Sequence, residues 1–199
     1  MKHFSRILAV GLMLIAPRLA SAATWNIDPD HSSVGFSIRH LMVSNVKGNF
    51  DRFSGTVDLD DKNITASKVT ATIDASSIDT RVQKRDDHLR SPDFFDVAKY
   101  PEISFVSKRW SRAANGKLKV SGDLTMHGVT RTVVLDVAPF SKETRDPWGN
   151  TRRGTTAKTT INRKDFGIDW NKSLDTGGLM IGDQVEITLE IEMTLSKAG

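Results

Sequence analysis

The chain has 199 residues, of which 28 are Lys or Arg, 24 are Asp or Glu and none is Cys, for a formal net charge of +4. Without a thiol there is no disulfide framework, no thiolate metal ligand and no cysteine nucleophile. The length suits one domain with a substantial core.

The N-terminus reads as a leader. "MKHFSR" is basic, "ILAVGLMLIA" is an apolar run of ten, and "PRLASAA" offers Ala20 and Ala22 at cleavage spacing. This is the three-part pattern of a secretory signal peptide, and ten apolar residues fall short of the roughly 20 that span a bilayer. Cleavage is expected after Ala22 or one residue later, leaving a domain over 23–199 in the periplasm. Lys2, Arg6 and Arg18 leave with the leader and no acid does, so 25 basic residues then face 24 acidic ones. Such a balance supplies no field for nucleic acid. No cysteine follows the apolar run, which excludes a lipoprotein anchor, and no later segment is apolar enough to cross a membrane as a helix.

From there the dominant signal has period two, the mark of strands with one buried and one wet face. Strands are predicted over 32–40, with Val34, Phe36, Ile38 and His40 on one side, and over 46–59. The second changes phase: Val46, Gly48 and Phe50 are even, whereas Phe53, Gly55, Val57 and Leu59 are odd, so a bulge or bend near Asp51–Arg52 is expected. A third strand, 67–75, turns Val69, Ala71 and Ile73 inward. The stretch 76–101 has no such stripe. Asp79 or Thr80 is placed to cap a helix over 81–90, and Ser91-Pro92-Asp93 reads as a second cap before Phe94 and Phe95. Strands then follow over 102–110, 117–126, 129–138, 152–162 and 183–195. About eight antiparallel strands can close into a barrel without edges, just wide enough to fill with side chains or to hold one small ligand. The inner faces carry Phe105, Leu124, Leu135 and Leu189, interrupted by Gly48, Gly55, Ala71, Gly122 and Ala157. Those gaps either leave an elongated cavity or let the barrel flatten and fill.

The histidines invite a chemical reading. In "DLTMHGVTRTVVLD", 123–136, taking His127-Gly128 as a two-residue loop pairs Met126 with Val129, Val120 with Leu135 and Leu118 with Val137. It also sets Lys119 opposite Asp136 on the outer face. An X-Gly loop is a hairpin signal, so a turn accounts for His127 better than catalysis does. His31, His40 and His88 sit in separate segments, with no metal-ligand spacing, nucleophile elbow or phosphate loop. Asp28 and Asp30 flank Pro29 and read as a turn. His40 continues an inward face and reads either as a satisfied rim histidine or as a donor to the polar end of a ligand.

Five segments, "SSVGFSIRHLMVSNVKGNFDRFSGTVDLD" (32–60), "HLRSPDFFDVAKYPEISFVS" (88–107), "GDLTMHGVTRTVVLDV" (122–137), "TTINRKDFGID" (159–169) and "GLMIGDQVEITLEIE" (178–192), resemble the YceI-like family of bacterial secreted proteins. The resemblance runs in order over essentially the whole mature chain. It implies an all-β fold with one or two short helices: an extended eight-stranded antiparallel lipocalin-like barrel. It implies a long pore holding an isoprenoid lipid, such as an isoprenoid quinone or a polyprenyl phosphate, with no cofactor beyond that ligand, no metal and no catalytic residue. The ligand-contacting residues expected from the inward faces and from the segments near the ends are Phe36, Ile38, His40, Phe50, Val57, Ile73, Phe94, Phe95, Phe105, Leu124, Leu135, Arg163, Phe166 and Leu189. Arg163 and Lys164 read either as phosphate contacts or as a solvated pair. The expected function is a periplasmic carrier or sequestering protein, a monomer or homodimer in transient contact with a membrane surface. Two alternatives stand beside it: a lipid-modifying enzyme using His40 or His127 as base, and a filled barrel acting as a stress-related interaction module through "RDPWGNTRRG", 145–154, and Trp148.

Overall fold

The computed structural model describes residues 22–113, 116–173 and 179–197, so the expected leader, through residue 21, lies outside the described residues. The strands are β1 (Ala23–Ile27), β2 (Ser33–His40), β3 (Ser44–Phe50), β4 (Phe53–Leu59), β5 (Lys68–Asp74), β6 (Ile78–Asp79), β7 (Glu102–Arg112), β8 (Leu118–Met126), β9 (Val129–Val137), β10 (Thr144–Arg145), β11 (Thr151–Asn162) and β12 (Ile181–Leu195), with one α-helix, α1 (Gln83–Arg90). All pairings are antiparallel.

Twelve strands make eight wall positions. β1 and β2 both pair with β12, at its two ends, and are one strand interrupted by a single turn at Pro29–His31. β3 and β4 are one bent strand, broken at Asp51–Arg52 where the hydrophobic phase slips, and β5 and β6 continue one another in the same way. The order then runs β4–β5–β7–β8–β9–β11, and β11 pairs with β12 over 11 residue pairs to close the eight-stranded barrel. Strand boundaries agree with the alternation to within two residues, because each strand has one face on the core and one in water.

β1 escaped the period-two reading. It is five residues long and turns its indole, Trp25, into the wall, where it is 1% exposed. Five residues are too few for an alternation to stand out. The two-residue strands β6 and β10 are shorter still.

The expected helix is present, but its cap is not the expected one. The residue preceding α1 is Val82, with no side-chain cap. Thr80 is instead held through its N–H and its Oγ1 by the buried carboxylate of Asp86, at 2.9 and 2.5 Å. After the cap-like Ser91-Pro92-Asp93 the chain makes the expected short aromatic turn and does not go on into a second α-helix. Phe94 N–H donates to Ser91 O and Phe95 N–H to Leu89 O, at 3.0 Å each, and the segment is a run of turns packed on the end of α1. Proline at a first helical position is permissive, not sufficient.

Candidate functional site

Alternation puts apolar side chains on the inside of every wall position, and the interior does not fill. An elongated cavity of about 250 Å³ runs through the barrel, from Leu89 and Phe95 under α1 to Trp110, Phe140 and Met193 at the far end. On β7 alone it reaches from Ile103 to Trp110, roughly 23 Å of strand before tilt. Small volume over that length means a narrow tube. Its lining is aliphatic and aromatic; Ser54, Thr155, Thr159 and Arg163 are the polar side chains among the described residues.

At Gly48 and Gly122 the space a side chain would take is filled by a neighbouring ring. A Cβ on Gly48 would stand 2.5 Å from Cζ of Phe36, its cross-strand neighbour, and one on Gly122 would stand 2.5 Å from Cζ of Phe105. Each ring lies where a side chain would otherwise be. The glycines therefore widen the tube indirectly, by letting a phenylalanine rest against the wall instead of projecting across the lumen.

This geometry coincides with a sequence relationship. The family model described as YceI-like domain matches residues 25–193. The chain belongs to the YceI-like family. A UPF0312 protein of Staphylococcus aureus strain MSSA476 is 41% identical over 174 residues, covering 87% of this chain and 98% of that one. Among solved structures, Burkholderia cenocepacia BcnA superposes with a TM-score of 0.73 at 25% identity, covering 83% of this chain and 98% of that one. A polyisoprenoid binding domain from Saccharophagus degradans shares the fold, with a TM-score of 0.64 at 18% identity over 88% of this chain and 99% of that one.

In this YceI-like barrel Phe36, Ile38, Phe50, Val57, Ile73, Phe95, Phe105, Leu124, Leu135, Arg163 and Leu189 all reach the cavity wall. Three expected residues lie elsewhere. His40 is the last residue of β2, opposite Ser44 and Ile181, beyond the point where the tube ends. Phe94, 7% exposed, packs against His88 and Trp170, with ring centroids 5.0 and 5.2 Å away, and does not line the tube. Phe166 is 1% exposed, in the turn after β11, and anchors that turn rather than the tube. For Phe94 and Phe166 the segments have no strand period to say which way a ring turns. His40 does follow the period, but its strand outruns the cavity.

Trp110 is the wall residue that alternation hides. Ile103 and Phe105 are odd and inward, which would turn position 110 outward. A bulge between Ser107 and Arg109 adds Lys108 as an extra residue and reverses the phase. Trp110 therefore lies inside, 3% exposed, stacked on Phe140 at 6.4 Å.

The polar groups that looked chemical are engaged structurally. His127 and Gly128 form the hairpin turn, both at positive φ (53° and 72°), and the full register, including the Lys119–Asp136 ion pair, is the one expected. The His127 Nδ1–H donates to Phe166 O at 3.1 Å, and its ring meets the edge of Tyr100. His88 Nε2 is 2.8 Å from Asp93 Oδ2. Arg163, 3% exposed, spends its guanidinium on three carbonyls, of Gly182, Ile168 and Trp170, and lies 3.4 Å from Asp183. Burial pushes its pKa down, against the opposing pull of Asp183 and Asp169. Arg163 is therefore neither half of a solvated pair nor free to meet a phosphate: its guanidinium is committed to carbonyls of its own chain.

Asp28, His31 and Glu192 converge at the lower end closely enough to suggest a metal. A cation is already there: Arg152 Nη1 bonds Asp28 Oδ2 at 2.5 Å and Glu192 Oε1 at 2.6 Å, while its Nε bonds Asp146 at 2.7 Å. Burial alone would raise the Asp28 pKa, but the hydrogen bonds from Arg152 and His31 bring it below the usual value. Asp146 is held far below the carboxylate range, chiefly by Arg152.

Proposed function

We propose that the barrel holds one isoprenoid-type lipid, an isoprenoid quinone or a polyprenyl phosphate, along its axis and carries or sequesters it in the periplasm without chemically changing it. The observation that carries this reading is the narrow, elongated, apolar cavity inside the barrel. Each buried methylene contributes about 0.8 kcal/mol, against an association cost on the order of 4–15 kcal/mol. A chain of several branched isoprene units exceeds that cost with no strong polar contact, and an unbranched or branched tail is what a tube of this shape accommodates. The polyisoprenoid binding named for the Saccharophagus degradans domain supports the same ligand class. The exposed tip of the β2–β3 hairpin, with Met42 62% and Val43 75% exposed, is the surface through which such a carrier would touch a membrane.

Extraction of the purified protein into organic solvent, followed by mass spectrometry, is expected to release a polyisoprenoid lipid. A protein that releases none and takes up neither added quinone nor polyprenyl phosphate does not have this function.

A further inference from the structure

The barrel wall is not equally sewn. β9 pairs with β8 over nine residues, from Leu118↔Val137 to Met126↔Val129. On its other side it pairs with β11 only at Val137↔Ala157 and Asp136↔Lys158. Below that point the seam stays shut: Ala138 N–H donates to Thr156 O and Ser141 N–H to Gly154 O, at 2.9 and 2.8 Å. Above it the ladder stops, although β11 runs on to Asn162 and is paired with β12 along its whole length. Over residues 129–135, roughly 20 Å of strand, no backbone ladder joins β9 to β11.

The side chains explain the parting. Extending the register would set Leu135 opposite Thr159, Val133 opposite Ile161 and Arg131 opposite Arg163. Like charges directly across a ladder repel, and Arg163 is already fixed by three carbonyls. Arg131 yields. It belongs to the inward-facing series of β9, between Val129 and Val133, yet it is exposed. Its Nη1 donates to the neighbouring Thr130 O, and among the described residues no carboxylate, Asp165 on the turn beside β9 included, forms an ion pair with it.

Both banks of the parting, Val133 and Leu135 on one side and Thr159 and Ile161 on the other, also line the tube. We propose that the β9–β11 seam is a lateral gate through which an amphiphile enters the barrel, and that Arg131 at its upper corner seats an anionic head group, phosphate or carboxylate, while the tail lies in the tube. This rests on the lipid-binding reading above and adds the route and the head-group preference. The gate opens by separating side chains and releasing the single His127 Nδ1–H to Phe166 O hydrogen bond that crosses its upper end, whereas every other seam must break a backbone ladder.

Two experiments test it. The chain has no native cysteine, so the pair Leu135→Cys, Thr159→Cys can be locked by oxidation or by a short bifunctional thiol reagent. Uptake of a fluorescent polyprenyl phosphate is expected to slow at least tenfold in the locked protein and to recover on reduction. Unchanged uptake in the locked form overturns the gate and assigns access to an end of the barrel. For the head group, wild type is expected to bind a polyprenyl phosphate at least tenfold tighter than the matching polyprenol, and Arg131→Gln to abolish that preference while retaining polyprenol binding. Inorganic phosphate at the same concentrations is expected neither to bind nor to compete, since the tail provides the affinity. Equal binding of phosphate and alcohol by wild type, or a preference that survives in Arg131→Gln, overturns the Arg131 assignment and leaves the carrier reading intact. Binding of neither lipid overturns both.

Discussion

The two edges of β9 teach opposite lessons about how this wall is held. Toward β8 the contact is local: a two-residue turn brings the strands together, and nine pairs follow in an unbroken register. Toward β11 the contact is distant in sequence, two pairs long, and interrupted where two arginines would meet. The first edge is stabilised by backbone hydrogen bonds and a tight turn, and the second by apolar side chains that also face the lumen. One strand is thus both a fixed part of the frame and one lip of an opening.

The comparison breaks most readily at the turn. Gly128→Val puts a β-branched side chain at a φ of 72°, with its Cβ against the Tyr100 ring. Strain and clash together are expected to cost at least about 3 kcal/mol, read as a lower urea midpoint. Ile161→Ala on the loose edge is expected to cost less than that despite the side chain's 7% exposure, because the site already adjoins a cavity. A larger cost for Ile161→Ala than for Gly128→Val would reverse the assignment of strong and weak edges.

Hydrogen exchange sharpens the same contrast within one strand. A two-residue hairpin directs the amides of Val133 and Leu135 toward β8 and those of Thr132 and Val134 toward β11. The latter pair is expected to exchange roughly a hundredfold faster, since local opening there breaks no ladder. Equal protection would mean that the seam is sewn in solution.

A third, smaller effect concerns the lumen. Gly122→Ala puts a Cβ 2.5 Å from both Cζ of Phe105 and the backbone carbonyl of Val106, so the β7 backbone shifts as well as the ring, which is displaced toward the tube. Overpacking of this kind typically costs about 1–3 kcal/mol, and lipid uptake is expected to fall with it. A variant that loses stability but binds lipid normally would show that Phe105 relaxes elsewhere.

The smallest expected effect is the pH dependence of the lower end, far from the gate. Asp28 and Asp146 have folded pKa values below their unfolded ones near 4. Their contribution is complete above about pH 4 and is lost as the pH falls through that value toward the folded pKa. Thermal melts are therefore expected to decline below pH 4, and less steeply in Arg152→Met, which removes the cation common to both carboxylates. An identical slope in the variant would place the acid sensitivity elsewhere.

Much of the fold was legible because its forces are local. Period two located eight wall strands, the phase slip located the bend between β3 and β4, and His127-Gly128 set the β8–β9 register pair by pair. The site was partly legible for the same reason: an inward residue of a regular strand reaches the lumen. It became illegible where regularity ended. A bulge carried Trp110 inside against its phase, β2 outran the tube and left His40 beyond it, and the aperiodic segments hid the directions of Phe94 and Phe166.

What the sequence by itself determined, then, was a set of antiparallel strands each with one apolar face, since alternation and turn chemistry act between neighbours in the chain; the barrel was what the family resemblance implied. Only the tertiary structure decided that the interior stays open and that one seam parts. Both depend on which side chains meet across the barrel: Phe36 against Gly48, Phe105 against Gly122, and Arg131 kept from Arg163. Such meetings are set by closure, and no stretch of the chain encodes them alone.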